Sequence, residues 1–225
     1  MTIRAKIWLA TLFCILSLGI VRTAQKASSA TPASSPARQA AAIVRFRLDP
    51  EQSKFIAHAQ RGGLLWFKGH EHLVAAREFS GEAKLNADSL DASSLQLTVK
   101  TDSMEETSDA FTATQKQIIN RELREIVLEP AKYPELVFMS TAVKGKRVGA
   151  NQYDLKIAGN LTLHGVTRPI VIPAKVNVNG NDLRATGEFS INRSDFKVKA
   201  TSAFHGMIRV RNKVKFTFDI VGHRI

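Results

Sequence analysis

Apolar and polar side chains alternate with a period of two through most of the chain after residue 45. Alternation of this kind is typical of half-buried strands that turn one face to a core. The clearest alternating runs fall at residues 79–85, 95–99, 155–163, 170–178, 183–191 and 210–220. Turn-forming residues such as Asn179-Gly180-Asn181-Asp182 separate the runs. About eight strands without alternating helices indicate an all-β domain, either a sandwich or a closed antiparallel barrel.

One segment departs from this period. Between residues 107 and 128 the apolar residues fall at helical spacing. This spacing predicts a helix of about three to five turns, or a helix pair, that is inserted between two strands and lies over one end of the barrel. Ser108 or Asp109 is expected to cap its start and Pro130 to end it. The preceding Glu105-Glu106 pair would favour the N-terminal dipole of this helix.

Several inward positions of the predicted strands carry small residues, which are Gly81, Ala83, Gly159, Ala174, Ala185 and Gly187. Small inward residues leave room for a ligand in an eight-stranded barrel. Glycines also occur where a closing sheet must bend. Both interpretations are open on the sequence alone.

The N-terminus has the pattern of a secretory signal. Basic residues precede a short apolar run, Ile7–Val21, and small residues follow at Ser28-Ser29-Ala30. We predict a signal peptide over residues 1–30, with an uncleaved N-terminal membrane anchor as the alternative. Residues 31–44 are rich in Ala, Ser and Pro and are expected to form a disordered linker, which leaves residues 45–225 as the folded domain.

Charge and cysteine content narrow the function classes. The formal net charge of +12 is compatible with an anionic partner, but most basic residues alternate with apolar ones, as on the solvated face of amphipathic strands. No nucleic-acid-binding motif is present, so nucleic acid is not an expected partner. The sequence also lacks a nucleophile elbow, a phosphate-binding glycine loop and a Cys–His pairing, and its only cysteine, Cys14, lies in the apolar N-terminal run. We therefore expect a protein that is not an enzyme.

His70 and His72 are the most distinctive local feature. Residues two apart share a face of an extended strand, so both imidazoles could approach one metal ion. The alternative is that they line the rim of the barrel and hydrogen-bond to loops or to a ligand head group. A metal site needs a third ligand, and the candidates that the sequence leaves unplaced are Glu78, His58, His164 and His205.

The remaining polar candidates have structural interpretations. His164 is expected to hold a turn by hydrogen bonding, and Arg193 and Asp195 are expected to form a local ion pair that fixes a corner. Three other histidines have no evident partner and are interpreted as structural or solvated, namely His58, His205 and His223.

Four segments resemble the YceI-like, or polyisoprenoid-binding, family of bacterial periplasmic proteins. Leu161–Pro169 (LTLHGVTRP) resembles the family hairpin and is the most specific match. Phe189–Phe196 (FSINRSDF) is similar to a family strand and turn, and Tyr133–Phe138 (YPELVF) to the strand entry after the helix. Phe79-Ser80-Gly81 resembles an early strand. These segments follow the family order across the whole predicted domain.

The resemblance implies an eight-stranded antiparallel lipocalin-like barrel with an inserted helical segment, located in the periplasm. Members hold an isoprenoid chain, such as a polyprenyl or quinone-like lipid, in an apolar channel, and they are thought to bind, store or carry it. The inward residues expected to contact such a chain are Leu97, Val99, Leu161, Leu163, Phe189, Val214, Phe216 and Phe218. The head group would lie near the barrel mouth, where His70, His72 or an arginine could meet it.

Two departures from the family pattern stand out. Lys197 occupies a position where the family often has glycine, and residues 121–128 differ from the usual end of the helix, which is expected to reshape the barrel mouth. Two other functions stay open: a structural or stress-linked partner protein with a packed barrel, and a metal-binding or redox protein that uses His70 and His72. No cofactor is otherwise expected, while a homodimer and transient contact with a membrane are left open.

Overall fold

The computed structural model describes residues 43–63, 70–200, 202–203 and 208–225. The predicted signal peptide, nearly all of the predicted linker, Cys14 and His205 lie outside these ranges. Within them, no helix is both long and apolar enough to cross a bilayer.

The described chain forms one antiparallel sheet that closes on itself. Its strands are β1 (Val44–Gly62), β2 (His72–Ala76), β3 (Phe79–Leu85), β4 (Ser94–Lys100), β5 (Met104–Glu106), β6 (Glu135–Arg147), β7 (Gln152–Leu163), β8 (Val166–Asn179), β9 (Asp182–Asn192), β10 (Ser202–Ala203) and β11 (Ile208–Arg224). Eight of them follow the order β1-β3-β4-β6-β7-β8-β9-β11, and pairing of β11 with β1 completes the ring. The predicted eight-stranded antiparallel barrel is therefore confirmed.

The alternation in the sequence sets which side chains point inward. Along β7, for example, Tyr153, Leu155 and Ile157 are buried while Lys156 is exposed. The inward residues of all the barrel strands pack into one apolar core. β1 is the least regular strand, because its register with β11 shifts between Asp49 and Lys54.

The barrel wall differs between its two ends. The first half of β1 pairs with β3 and the second half with β2, so β2 and β3 together flank this long strand. β5 pairs with β2 and lies at the edge of the sheet. The chain between β5 and β6 forms α1 (Ala113–Glu122), which continues into a π-helical turn, Leu123–Leu128. This helical segment covers one end of the barrel.

The start of the helix differs from the prediction. Thr112, not Ser108 or Asp109, is the N-cap, and it forms a reciprocal capping box with Gln115. The preceding residues are held elsewhere, because Ser108 donates its amide to the side chain of Glu106. Glu106 itself lies in β5 and not at the helix terminus, so the expectation that it supports the helix dipole is wrong.

The end of the helical segment is fixed to the β7–β8 turn. Glu129 has a left-handed backbone and its carboxylate lies 2.7 Å from the Nε2 of His164. The His164 ring packs against Tyr133, with ring centroids 4.1 Å apart. The two turn residues, His164 and Gly165, both have positive φ, as the tight turn requires. His164 thus holds the turn as predicted.

The small inward residues have two different roles. A Cβ on Gly159 would lie 2.5 Å from the ring of Phe138, and one on Gly187 would lie 2.6 Å from the ring of Phe218. These glycines make room for the aromatic side chains of the protein itself. The small residues that do border free space in the barrel are Ala83, Ala174 and Ala185.

Candidate ligand-binding site

The half of the barrel away from the helix encloses an almost entirely apolar cavity of about 100 Å³, which we call the distal cavity. Inward side chains from all eight barrel strands surround it, and each strand contributes at least one aliphatic residue. Five of the predicted ligand contacts line it, namely Leu97, Leu161, Phe189, Phe216 and Phe218. These five residues share one cavity, and their contact with a ligand stays a prediction.

A second cavity of about 140 Å³ lies beneath the helical segment, and we call it the lid cavity. Leu163 and Val214 of the predicted contacts line it from the barrel wall. The helical segment closes it with side chains that include Ile119, Leu123 and Val127. Val99 lines neither cavity; it is fully buried in the core.

Phe216 and Leu136 border both cavities and so form the partition between them. The Phe216 ring is stacked between two others, with centroids 5.7 Å from Phe55 and 5.0 Å from Phe189. Aromatic stacking of this kind stabilises one side-chain orientation. We therefore expect movement of the Phe216 ring to be required before one ligand can occupy both cavities.

Polar groups of the barrel interior are concentrated at the lid cavity. His72 lines it, and its Nδ1 lies 2.8 Å from the carboxylate of Glu106, whose side chain is fully buried. Burial raises the pKa of Glu106, but hydrogen bonds from His72 and from the amides of Ser108 and Leu73 outweigh it and bring that pKa below its usual value. Glu106 is therefore a carboxylate that holds the His72 proton on Nδ1.

This arrangement leaves the other ring nitrogen of His72, Nε2, without a hydrogen-bond partner in the described part of the chain. The ring is held flat against Phe111, with centroids 5.0 Å apart. A histidine whose Nδ1 is fixed by a carboxylate presents Nε2 in a defined direction. With its proton on Nδ1, the neutral ring of His72 can accept one hydrogen bond at Nε2 from a group in the lid cavity.

The predicted metal pair is arranged differently. His70 is exposed and meets the edge of the same Phe111 ring, with centroids 5.6 Å apart. Among residues 43–63, 70–200, 202–203 and 208–225, no group of three or more His, Cys, Asp or Glu side chains is placed to hold a metal ion. The described residues therefore offer no third ligand for His70 and His72, while the candidate His205 lies outside them. His70 is not among the residues that line either cavity.

Arg193 adds a second polar group to the lid cavity. Its Nη1 donates to the carbonyl of Val198, while its Nε is buried and has no hydrogen-bond partner in the described chain. The predicted ion pair with Asp195 is wrong, because the Arg193 side chain turns inward and Asp195 instead accepts from Asn192. Lys199 also borders the cavity.

Two further histidines have partners that the sequence did not indicate. His58 Nε2 lies 2.9 Å from the hydroxyl of Thr217 on β11. His223 lies between Asp182 and Asp49, at 2.8 and 3.0 Å, and hydrogen bonds to these two carboxylates raise its pKa. Both histidines tie neighbouring strands together, which is consistent with structural roles.

A closed eight-stranded antiparallel barrel with an apolar interior and a helical segment over one end defines the lipocalin-like class of barrel proteins. A family model described as the YceI-like domain matches residues 46–222. The chain belongs to the YceI-like family.

Curated relatives agree with this assignment. A UPF0312 protein of Pseudomonas savastanoi pv. phaseolicola is 47% identical over 78 residues, which cover 32% of this chain and 38% of the relative. Protein YceI of Salmonella arizonae is 30% identical over 144 residues, which cover 63% of this chain and 66% of the relative. The chain thus spans less than two thirds of the length of each of these relatives.

Solved structures share the fold. BcnA of Burkholderia cenocepacia superposes with a TM-score of 0.60 at 22% identity, covering 77% of this chain and 98% of that chain. A polyisoprenoid binding domain from Saccharophagus degradans, implicated in plant cell wall breakdown, gives a TM-score of 0.58 at 13% identity, covering 80% of this chain and 98% of that chain. At these identities the likeness establishes the architecture of the barrel.

Proposed function

We propose that the barrel binds an apolar or amphipathic lipid of the isoprenoid type, such as a polyprenyl or quinone-like molecule, and stores or carries it. The observation that supports this most strongly is the pair of apolar cavities in the barrel, which have Phe216 and Leu136 in common among their lining residues. The polyisoprenoid binding domain that shares this fold supports the same ligand class.

The sizes of the cavities bear on how such a lipid would bind. Each is comparable to an engineered apolar cavity of about 150 Å³ that holds one benzene molecule. A chain of several isoprene units therefore needs both cavities at once, with the Phe216 ring displaced. Burial of each methylene contributes about 0.8 kcal/mol, so a long chain can bind tightly with few polar contacts.

The polar groups of the lid cavity favour one orientation of the ligand. The apolar tail would occupy the distal cavity, and the head group would lie beneath the helical segment. There, Nε of Arg193 is buried without a hydrogen-bond partner in the described chain, and Nε2 of His72 is a second nitrogen for which the described residues supply no partner. A carbonyl, hydroxyl or phosphate oxygen on the head group would satisfy the buried Arg193 donor, which otherwise costs free energy.

The two alternative functions have less support. Both cavities exceed the roughly 30 Å³ share of one water molecule, whereas a packed barrel requires an interior without such space. A metal-binding or redox role lacks a third ligand in the described chain. Binding without catalysis is the function we propose, and the periplasmic location, the signal peptide and a homodimer stay predictions.

The experiment that tests this function fills the distal cavity without adding charge. Ala174 is buried and lines that cavity, so Ala174→Leu places three more carbons inside it. Ala150→Leu, in the exposed turn between β6 and β7, is the matched control. We expect Ala174→Leu to lower the uptake of a polyprenol or a long-chain quinone at least tenfold while the control binds like the wild type. Equal uptake by both variants, with both folded by circular dichroism, would contradict the proposal.

A further inference from the structure

The outer surface of β6, β7 and β8 combines exposed apolar side chains with lysines. The strand register aligns four rows across it: Met139–Asn160–Pro169, Ala142–Ala158–Val171, Lys144–Lys156–Pro173 and Lys146–Asp154–Lys175. We call this surface the lysine face. Met139 and Val171 are the most exposed large apolar residues of the described chain, at 54% and 56%.

The basic half of the lysine face carries unbalanced charge. Lys144 lies directly opposite Lys156 across β6 and β7, and Asp154 is the single acidic residue, between Lys146 and Lys175. Four lysines and one aspartate give a net charge of +3. None of these four lysines has an ion-pair partner in the described chain, whereas Lys215 on β11 pairs with Glu188.

Like charges directly opposite each other across two strands destabilise a sheet. Exposed apolar side chains beside them add no stability to the folded chain. An anionic surface with an apolar layer beneath it offsets both costs, because phosphate groups neutralise lysines and apolar side chains enter the interfacial region. We propose that the lysine face docks on the surface of an anionic phospholipid bilayer.

The charge pattern distinguishes this partner from others. A two-fold dimer that places the lysine half on itself would bring two lysine clusters together, which opposes association, and one that places it on the apolar half would leave the lysines without opposite charges. A nucleic acid would be attracted to the lysines but would gain little from Met139 and Val171. An anionic bilayer would contact both the lysines and the exposed apolar side chains of the face. Docking does not depend on what the barrel interior holds.

The test measures the polarity of the surroundings of the lysine face with a fluorophore. The full chain carries Cys14→Ser and Val171→Cys, with an environment-sensitive fluorophore on the new cysteine, and is titrated with phosphatidylglycerol vesicles and with phosphatidylcholine vesicles. We expect a blue shift of the fluorophore emission with phosphatidylglycerol and none with phosphatidylcholine. Absence of a shift with phosphatidylglycerol would overturn the proposal, as would a shift that grows with protein concentration without vesicles, which indicates a second copy as the partner.

Two charge reversals separate local docking from general attraction. Lys144→Glu places an opposite charge against Lys156, so the folded chain should melt at the same or a higher temperature. The same variant should weaken vesicle binding about fivefold or more, the equivalent of roughly 1 kcal/mol for each lysine at an anionic surface. Lys213→Glu, on an exposed position of β11 two strands from β8, changes the net charge equally and should weaken binding less. Equal loss in both variants would show attraction without a docking face.

Discussion

The position of Phe216 between the two cavities predicts how affinity depends on the length of the lipid chain. Phe216 stacks on Phe55 and on Phe189, and a lipid that spans both cavities must displace its ring. Each stacked pair contributes about 0.5–1.5 kcal/mol beyond buried area, so displacement costs about 1–3 kcal/mol in total. Phe216→Leu removes both stacks before the ligand enters. We therefore expect its affinity for a long polyprenol to rise roughly 5- to 150-fold.

The assay compares a ligand that fits one cavity with a ligand that needs both. Geraniol, with two isoprene units, serves as the short ligand and a long polyprenol as the other, each titrated against the full chain and followed by native mass spectrometry. The affinity for geraniol should change little, because it does not have to pass Phe216. Phe46→Leu is the matched control, since Phe46 is also fully buried but lines neither cavity.

Stability must be measured in parallel. Phe216→Leu should lower the free energy of unfolding by less than the roughly 3–5 kcal/mol of a full Phe→Ala truncation. The reasoning is refuted if the folded Phe216→Leu protein binds the polyprenol no better than Phe46→Leu does. It is also refuted if the affinities for both ligands rise by the same factor.

Three further predictions concern the groups around the barrel. Glu106→Gln should lower the free energy of unfolding by about 1–3 kcal/mol. It should also move the His72 proton from Nδ1 to Nε2, and unchanged ¹⁵N chemical shifts of the imidazole would contradict this. His223 has a raised pKa in the folded chain, so the stability it contributes should be complete below about pH 6.5 and should be lost as the pH rises through the folded pKa. The difference in melting temperature between the wild type and His223→Gln should therefore shrink as the pH rises. A difference that grows with pH would contradict this. Lys197 adopts φ 57°, a conformation that costs a non-glycine residue about 1–2 kcal/mol. Lys197→Gly should therefore raise the melting temperature. A lower melting temperature would show that contacts of the lysine side chain contribute more stability than the backbone strain costs.

The barrel was predictable because most of its strands keep a period of two. β7, β8, β9 and β11 alternate along most of their length, with exceptions such as Val171 on β8 and Asn212 on β11, and their pairing follows the sequence order. β1 was not identified as a strand, because the register shift between Asp49 and Lys54 brings polar residues and Pro50 into its middle. β2 and β5 are only five and three residues long, too short for a periodic signal.

The polar part of the site was predicted less well than its walls. His72 was a candidate from the His-x-His spacing, but its partner Glu106 is 34 residues away and resembled a helix-dipole residue. Only the pairing of β2 with β5 brings them together. Arg193 was assigned to a local ion pair, since nothing in a short turn indicates that the guanidinium points inward. The division of the interior at Phe216 depends on side-chain orientations that no periodicity encodes.

The most direct test of the central claim is native mass spectrometry of the protein isolated from cells that produce it, followed by organic extraction of the bound material. A ligand mass that extracts with organic solvent and belongs to an isoprenoid series is the result that lipid binding in the barrel predicts. A bare protein mass, together with no uptake of added polyprenol or quinone, would contradict it.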